Sequence, residues 1–321
     1  RDLWMYSIGI DLGGTNIAAG VVDETGLIIC KESVPTLRER SYQEIIKDMA
    51  MLALKLINES KLKIENIKCI GIGTPGTADN KNGILLYANN LRFKNVPMRK
   101  EMQKYINVPI LIENDANCAA LAESIAGAAS DAENSIMITL GTGIGGGIII
   151  DKKLYSGFNG AAAEVGHMSI MVDGKLCTCG RSGCWEAYGS AEALIEQALE
   201  AIKENPGSLM MKLAEDNLGK MNAKIPFDAA RMEDETAKTV VDKYIKYVAE
   251  GITNLINIFT PEVFVIGGGI SKEGEYLLKP IREYVYRNVY AKDVTQTIIR
   301  VAKLGNDAGI VGAAMLGMQK L

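Results

Sequence analysis

The sequence predicts an α/β fold arranged as two similar lobes, and three observations carry that prediction. Short apolar runs alternate with longer stretches whose apolar residues recur at helical spacing. A strand, glycine turn, strand unit occurs at Tyr6–Val22 and again at Ile136–Ile150. The chain has 321 residues, 48 % of them hydrophobic, which exceeds what one core usually organises. The repeat has two readings, a duplicated lobe or a chance likeness between glycine-rich turns, and the first is the expectation here.

Taken in order, Tyr6–Ile10 is an apolar strand that runs into Asp11-Leu12-Gly13-Gly14-Thr15-Asn16. Ile17–Val22 follows as a second strand, then the turn Asp23-Glu24-Thr25-Gly26, then Leu27–Cys30. The glycine turn therefore opens a strand, whereas a dinucleotide-binding turn must open a helix. Ser41–Ser60 places Ile45, Met49, Leu52, Leu56 and Ile57 on one helical face. Ile67–Ile72 is a buried-type strand before Gly73-Thr74-Pro75-Gly76, and Val108–Ile112 is another that delivers Glu113-Asn114-Asp115-Ala116-Asn117. A helix of small residues is expected over Cys118–Ala129. The second unit reads as a strand at Ile136–Leu140, a turn over Gly141–Gly147 and a strand at Ile148–Ile150. A helix over Ala191–Lys203, with Ser190 as N-cap, stops at Asn205-Pro206-Gly207. Residues 208–234 read as short helices and loops. The long stripe Val240, Val241, Tyr244, Ile245, Val248, Ile252, Leu255 and Ile256 predicts a helix over Thr236–Phe259, closed by Thr260-Pro261. A strand at Val263–Ile266, a helix at Tyr276–Tyr286, a strand at Ile298–Ala302 and a helix at Ala308–Leu316 complete the chain. The expected lobes are residues 1–118, rejoined by a helix at about 303–321, and residues 119–302.

Charge and cysteine usage narrow the function. Lys plus Arg total 35 against 39 Asp plus Glu, a net charge of -4, so the chain has no general attraction for nucleic acid or anionic membrane. No run approaches the roughly 20 apolar residues of a membrane span, and the opening Arg1–Met5 leaves no room for a signal peptide before the first strand. Cys30, Cys69 and Cys118 are scattered, while Cys177, Cys179 and Cys184 are crowded. Crowding of this kind belongs to a metal site in a reducing, cytoplasmic setting rather than to a disulfide framework.

Three glycine turns follow apolar strands: Gly13-Gly14-Thr15, Gly141-Thr142-Gly143 and Gly267-Gly268-Gly269. Main-chain N–H groups there can surround a phosphate, because no Cβ blocks its approach. None ends in the Gly-Lys-Ser/Thr of a P-loop, so the Thr15 and Thr142 hydroxyls and a divalent cation would share the work. Asp11 is the expected holder of that Mg²⁺, directly or through water. The plainer alternatives are tight hairpins for the glycines and an Asx turn for Asp11. Asn114-Asp115 closes a strand, where ligands of open α/β sheets bind. Asp115 is the expected base that accepts the proton of a sugar hydroxyl as its oxygen attacks a phosphorus, and Asn114 offers a donor and an acceptor to vicinal hydroxyls. Capping of the next helix is the other reading of this pair.

His167, the chain's single histidine, and the three crowded cysteines form a Cys₃His set for a structural Zn²⁺, closed to further ligands. Gly180 and Gly183 let the short segment turn around the ion. A redox pair or inert buried thiols are the alternatives. Glu164 and Glu186 stand close in sequence to these ligands and are expected to contact a polyhydroxylated ligand, against a reading as surface charges.

Gly9–Asn16, Gly71–Gly76, Glu113–Asn117, Leu140–Gly147, Glu164–His167, the cysteine segment and Gly267–Ile270 together resemble sugar kinases of the repressor, open reading frame, kinase (ROK) family, and within it the bacterial glucokinase group. The resemblance covers most of the chain. It implies a two-lobed actin-like ATPase fold, of the ribonuclease H-like kind, with an interdomain active-site cleft, ATP as phosphoryl donor and a hexose as acceptor. Asp11, Gly13, Gly14 and Thr15 would form the first phosphate segment, Gly141, Thr142 and Gly143 the second, and Gly267, Gly268 and Gly269 would lie by the adenosine. Asp115 would be the general base. Asn90, Asn114, Glu164, His167 and Glu186 would contact the hexose, with His167 also on zinc. The implied reaction is phosphorylation of D-glucose at its 6-hydroxyl. N-acetylmannosamine, N-acetylglucosamine, fructose and allose kinases share the same polar set. A homodimer is implied as well. One departure stands at Asn90-Leu91, followed here by Arg92-Phe93 in place of a Pro or Ser and then Gly-Trp. Repressors of the family carry an N-terminal helix-turn-helix; with a kinase-type strand from Tyr6, no nucleic-acid partner is expected. A sugar sensor or filament-forming ATPase-like protein is the competing class, and Asp115 argues against the sensor.

Overall fold

The computed structural model describes residues 5–320. The ends of the expected lobes at residues 1–4 and 321 lie outside them. Two compact units are present. One comprises the chain up to Met137, Gly147–Ala163 and the segment from Lys303 onward; the other comprises Ile138–Gly146 and Glu164–Ala302.

In the first unit, β1 (Tyr6–Leu12), β2 (Asn16–Val22) and β3 (Ile28–Pro35) form an antiparallel meander. The Asp23 turn is closed by its own carboxylate, whose Oδ1 accepts from the Thr25 amide at 2.8 Å and the Leu27 amide at 3.0 Å. Helix α1 (Tyr42–Glu59) starts at a capping box between Ser41 and Glu44 and buries Ile45, Ile46, Met49, Leu52, Leu56 and Ile57 against the sheet. Strand β4 (Ile67–Thr74) pairs parallel to β1. Then β5 (Thr77–Asp79), β6 (Ile84–Ala88) and β7 (Phe93–Val96) form a small sheet of their own, which the sequence did not announce because its strands are short and partly charged. After α2 (Met98–Met102), β8 (Ile110–Asn114) completes the first sheet in the order β3-β2-β1-β4-β8.

Helix α3 (Asp115–Ala126) begins three residues before the expected Cys118, because Asn114 supplies an N-cap: its side-chain oxygen accepts from the Ala116 and Asn117 amides. The helix is continuous across residues 118 and 119. Strand β9 (Ser135–Leu140) is followed by β10 (Ile144–Ile150), so the expected glycine turn shrinks to residues 141–143 and Gly145, Gly146 and Gly147 are strand. Gly147 has a packing reason: a Cβ there would lie 2.4 Å from the Ala120 methyl of α3.

The remaining elements are β11 (Lys153–Leu154), α4 (Glu186–Gly189), α5 (Ala191–Glu204), α6 (Leu209–Leu213), α7 (Lys224–Arg231), α8 (Glu235–Phe259), β12 (Val263–Gly267), α9 (Glu275–Asn288), β13 (Ile298–Val301) and α10 (Ala308–Lys320). The second sheet has the order β11-β10-β9-β12-β13, which repeats, strand for strand, the order of the first. Helix α8 is capped by Asp234, buries the predicted apolar stripe and ends with Thr260 in the left-handed region at φ 43°.

Helix α10 belongs to the first unit and lies directly on its sheet. A Cβ at Gly9 would fall 1.8 Å from the Ile310 carbonyl oxygen, and one at Gly71 would fall 1.7 Å from that of Ala313. Backbone thus meets backbone, an approach that only glycine on β1 and β4 permits. No helix among the described residues is long and apolar enough to cross a membrane.

Candidate active site and metal centre

In the first unit, the turn Gly13-Gly14-Thr15 is pinned from outside. The Gly13 amide donates to the Asn16 carbonyl at 2.9 Å, and the Thr36 amide donates to the Thr15 carbonyl at 2.8 Å. The Thr36 hydroxyl donates to the Gly13 carbonyl at 2.7 Å. Thr36 is fully buried, and nothing in its sequence surroundings marks it for this task. The Thr15 side chain is exposed. A Cβ on Gly14 would stand 3.7 Å from the Asn90 carbonyl oxygen, so the expected phosphate segment and the expected hexose-binding Asn90 are neighbours.

Asp11, the last residue but one of β1, lies beside the first turn of α10, where Gly309 leaves room for its carboxylate: a Cβ on Gly309 would be 2.5 Å from Asp11 Oδ2. The Asx-turn reading is not realised, since among the described residues the carboxylate accepts no hydrogen bond from the turn that follows. Burial, and then the negative charge of Asp115, push its pKa from 3.8 up to about 6.

Asp115 is the first residue of α3. It is exposed to solvent, and its Oδ1 accepts from the Ala116 amide at 2.8 Å. The protein around it raises its pKa through desolvation, which strengthens the carboxylate as a proton acceptor. Capping falls to Asn114, whose Nδ2 also donates to the Gly76 carbonyl at 3.1 Å. Beneath this pair lies Glu113, with no exposed surface. Its Oε1 accepts from the Asn114 amide at 3.0 Å and from Asn117 Nδ2 at 3.1 Å. Its Oε2 accepts from Asn80 Nδ2 at 2.7 Å and from the Ser156 hydroxyl at 3.4 Å. One buried carboxylate therefore ties β8, α3, the small sheet and the segment after β11 to the residues that flank Asp115.

In the second unit, His167, Cys177, Cys179 and Cys184 present ligand atoms all within 4.8 Å of one another. Cys177 Sγ stands 3.7 Å from His167 Nδ1, and Cys179 Sγ stands 3.7 Å from Cys184 Sγ. A tetrahedron with Zn–S bonds of about 2.3 Å has edges of about 3.8 Å, so the donors fit zinc in spacing as well as in kind. Gly180 and Gly183, at φ 88° and 81°, make the turns that bring the cysteines round. A Cβ at Gly183 would collide with the Met171 carbonyl oxygen at 1.7 Å.

Trp185 anchors the residue after the last cysteine. Its ring is fully buried against α8, where a Cβ at Gly251 would lie 2.1 Å from the indole, and its Nε1 donates to the Tyr247 carbonyl at 2.8 Å. Glu186 is thereby aimed at the second glycine turn, and its Oε2 accepts from the Ile144 amide at 2.9 Å. That turn is closed by the Gly141 amide donating to the Gly143 carbonyl at 3.0 Å, and it is tied to α5 by the Ala191 amide donating to the Gly141 carbonyl at 2.8 Å. The side of Gly141 where a Cβ would stand is open, and the Thr142 side chain is exposed. A cavity of about 250 Å³ lies here, lined by Thr142, Gly143, Cys177, Glu186 and Ser190 among others. Gly267 closes β12, Gly268 takes φ 84° against the Leu140 backbone, and Gly269 is open. Glu164 is exposed at the start of the short turn Val165–His167.

The two sheets of one strand order, with glycine turns and acidic side chains at their strand ends, define an α/β protein of the two-lobed actin-like ATPase class. The chain belongs to the ROK family, whose model matches residues 7–320. It is 37 % identical over 315 residues to a glucokinase of Thermotoga maritima, covering 98 % of each chain, and 36 % identical over 321 residues to a glucokinase of Halalkalibacterium halodurans, covering 99 % of this chain and 96 % of that one. Among solved structures it resembles a ROK family glucokinase from Streptomyces griseus in complex with glucose and AMPPNP, with a TM-score of 0.81, 36 % identity, and 98 % and 99 % of the two chains covered.

Replacement of Glu113 by Gln puts an amide donor among groups that already donate. Glu113→Gln is expected to lower the unfolding free energy by about 2 kcal/mol, measured by urea denaturation; an unchanged midpoint would contradict the role given to this carboxylate.

Proposed function

We propose that the chain is an ATP-dependent glucokinase, transferring the γ-phosphoryl group of ATP to the 6-hydroxyl of D-glucose. The observation that carries this reading is the Asp115 carboxylate, exposed at the start of α3, raised in proton affinity and steadied by Glu113 and Asn114. The relatives named as glucokinases at 36–37 % identity, and the similar structure that holds glucose and AMPPNP, support the choice of substrates.

In this reading Asn90, Asn114, Glu164, Glu186 and His167 hold the hexose. His167 turns Nδ1 to the thiols, which leaves Nε2 for a sugar hydroxyl. As the O6 lone pair attacks the γ-phosphorus, the O6–H proton passes to the Asp115 carboxylate. The O6–P bond forms, the bond from phosphorus to the β–γ bridging oxygen breaks, and ADP leaves with that electron pair. The amides of Gly13–Thr15 and Gly141–Gly143 meet the nucleotide phosphates, and Gly267–Gly269 meets the adenosine. Asp11 would hold Mg²⁺, which supplies charge neutralisation on the phosphates. His167, Cys177, Cys179 and Cys184 would hold a structural zinc, which fixes the segment bearing Glu186.

Asp115→Asn is expected to lower kcat about 10³-fold with glucose affinity little changed; turnover near that of the unaltered enzyme would remove Asp115 as the base. In a coupled ADP-release assay over glucose, mannose, fructose, allose and the N-acetylhexosamines, glucose should show the highest kcat/KM, and another sugar ranking first would displace it.

Metal analysis of reduced protein should find one zinc per chain. Cys184→Ser should lose the metal and lower Tm, while a metal-free native protein of full stability would exclude the centre.

Asp11 must be ionised to hold a cation, so Mg²⁺ affinity should fall as pH drops through about 6. Between pH 7.5 and pH 5 the loss is expected to be about tenfold, read by Mg²⁺ titration of initial rates, and Asp11→Asn should abolish the dependence. The same raised pKa lends the fold stability that is complete below 3.8 and is lost as pH rises through about 6.

A further inference from the structure

The strand residue that leaves the second phosphate turn is gripped on three sides by the segments that carry the expected hexose and metal residues. The Ile144 amide donates to Glu186 Oε2 at 2.9 Å. Its carbonyl oxygen lies where a Cβ on Gly166 would fall, at 2.2 Å, and Gly166 sits between Glu164 and His167. Its side chain packs on Gly189, the last residue of α4, where a Cβ would be 3.1 Å from Ile144 Cδ1. One residue earlier, the space of a Cβ at Gly143 is filled by the Glu186 carboxylate, 2.3 Å from Oε2. Gly143 thus has a reason to be glycine that is separate from phosphate access. It lets a carboxylate stand directly against the turn.

We propose that Glu186 is a positioning residue for the Gly141–Gly143 turn, in addition to its place at the hexose. Its Oε2 holds the Ile144 amide and so fixes where the turn presents its own N–H groups, while Oε1 stands 3.9 Å from Cys177 Sγ. A hydrogen bond to an ionised acceptor is the strong kind, and the partly buried setting screens it less than open solvent would. The turn that receives the nucleotide therefore depends on a side chain from the hexose side. The part of this inference that names the nucleotide rests on the function proposed above; the part that concerns the turn does not.

The test separates the two. Amide hydrogen exchange of Ile144 in nucleotide-free protein reads the grip alone: Glu186→Ala should speed exchange at Ile144 at least tenfold, with Tm and zinc content close to those of the unaltered chain. AMPPNP affinity measured calorimetrically without sugar reads its consequence: Glu186→Ala should weaken it about tenfold. Glu186→Gln keeps an acceptor for the Ile144 amide and should restore nucleotide affinity to within about threefold while leaving glucose KM raised. Gly143→Ala displaces the carboxylate and should weaken nucleotide and glucose together. Unchanged Ile144 exchange in Glu186→Ala, or unchanged AMPPNP affinity in that variant, overturns the proposal. Failure of the unaltered chain to bind AMPPNP at all overturns the nucleotide reading, with the exchange measurement still deciding whether Glu186 holds the turn.

Discussion

A single carboxylate with no access to water sets the geometry of the first unit's reactive end. Glu113 accepts from two side-chain amides, one main-chain amide and one hydroxyl, drawn from three separate stretches of chain. Burying an ionised group is costly unless its lone pairs are met, so the donors are as constrained by Glu113 as Glu113 is by them. The outcome is that Asn114 and Asp115, which follow it directly, emerge at one defined place and angle. Asn114 caps α3 through Oδ1 and gives one Nδ2 hydrogen to Gly76, keeping its second Nδ2 hydrogen for another acceptor, and Asp115 keeps an oxygen outside that network. For the base proposed above, preorganisation of this sort would remove the need to reorganise at the moment of reaction.

The second unit obtains the same rigidity by other means. Three thiols and an imidazole gather where a short segment folds on itself, a buried indole fixes the next residue against α8, and the carboxylate after it meets the strand that leaves the Gly141–Gly143 turn. Each step adds one contact to the one before, so the reach from the cysteines to Gly143 is short and stiff. Rigid elements hold reacting groups more accurately than loops that rely on their own turns.

The parts of this site that could be read in the sequence are those whose chemistry is local. Three cysteines and the only histidine within a short span name a metal set without any fold. Glycines after an apolar strand predict the turns at residues 13–15 and 141–143, and the stripes of α1 and α8 name their buried faces. What escaped depends on partners distant in sequence. Thr36 reads as an ordinary polar residue until Gly13 and Thr15 are placed beside it. Gly147 looks like part of a turn, and only the nearness of α3 shows why a strand should carry it. The small sheet β5-β6-β7 hides because its strands are short and partly charged. Helix α3 starts ahead of Cys118 because Asn114, a residue that suits a ligand as well as a cap, caps it.

The glycine-lined seat of α10 has a consequence for how this chain is made. Strands β1 and β4 leave the ribosome before the second unit does, but the helix that covers them is encoded after the whole of that unit. Contacts so distant in sequence carry a large loop-closure cost and form late. The second unit has every residue it needs before that helix appears, so until α10 has been made the nascent protein carries one finished body and one sheet still bare on a face of small residues.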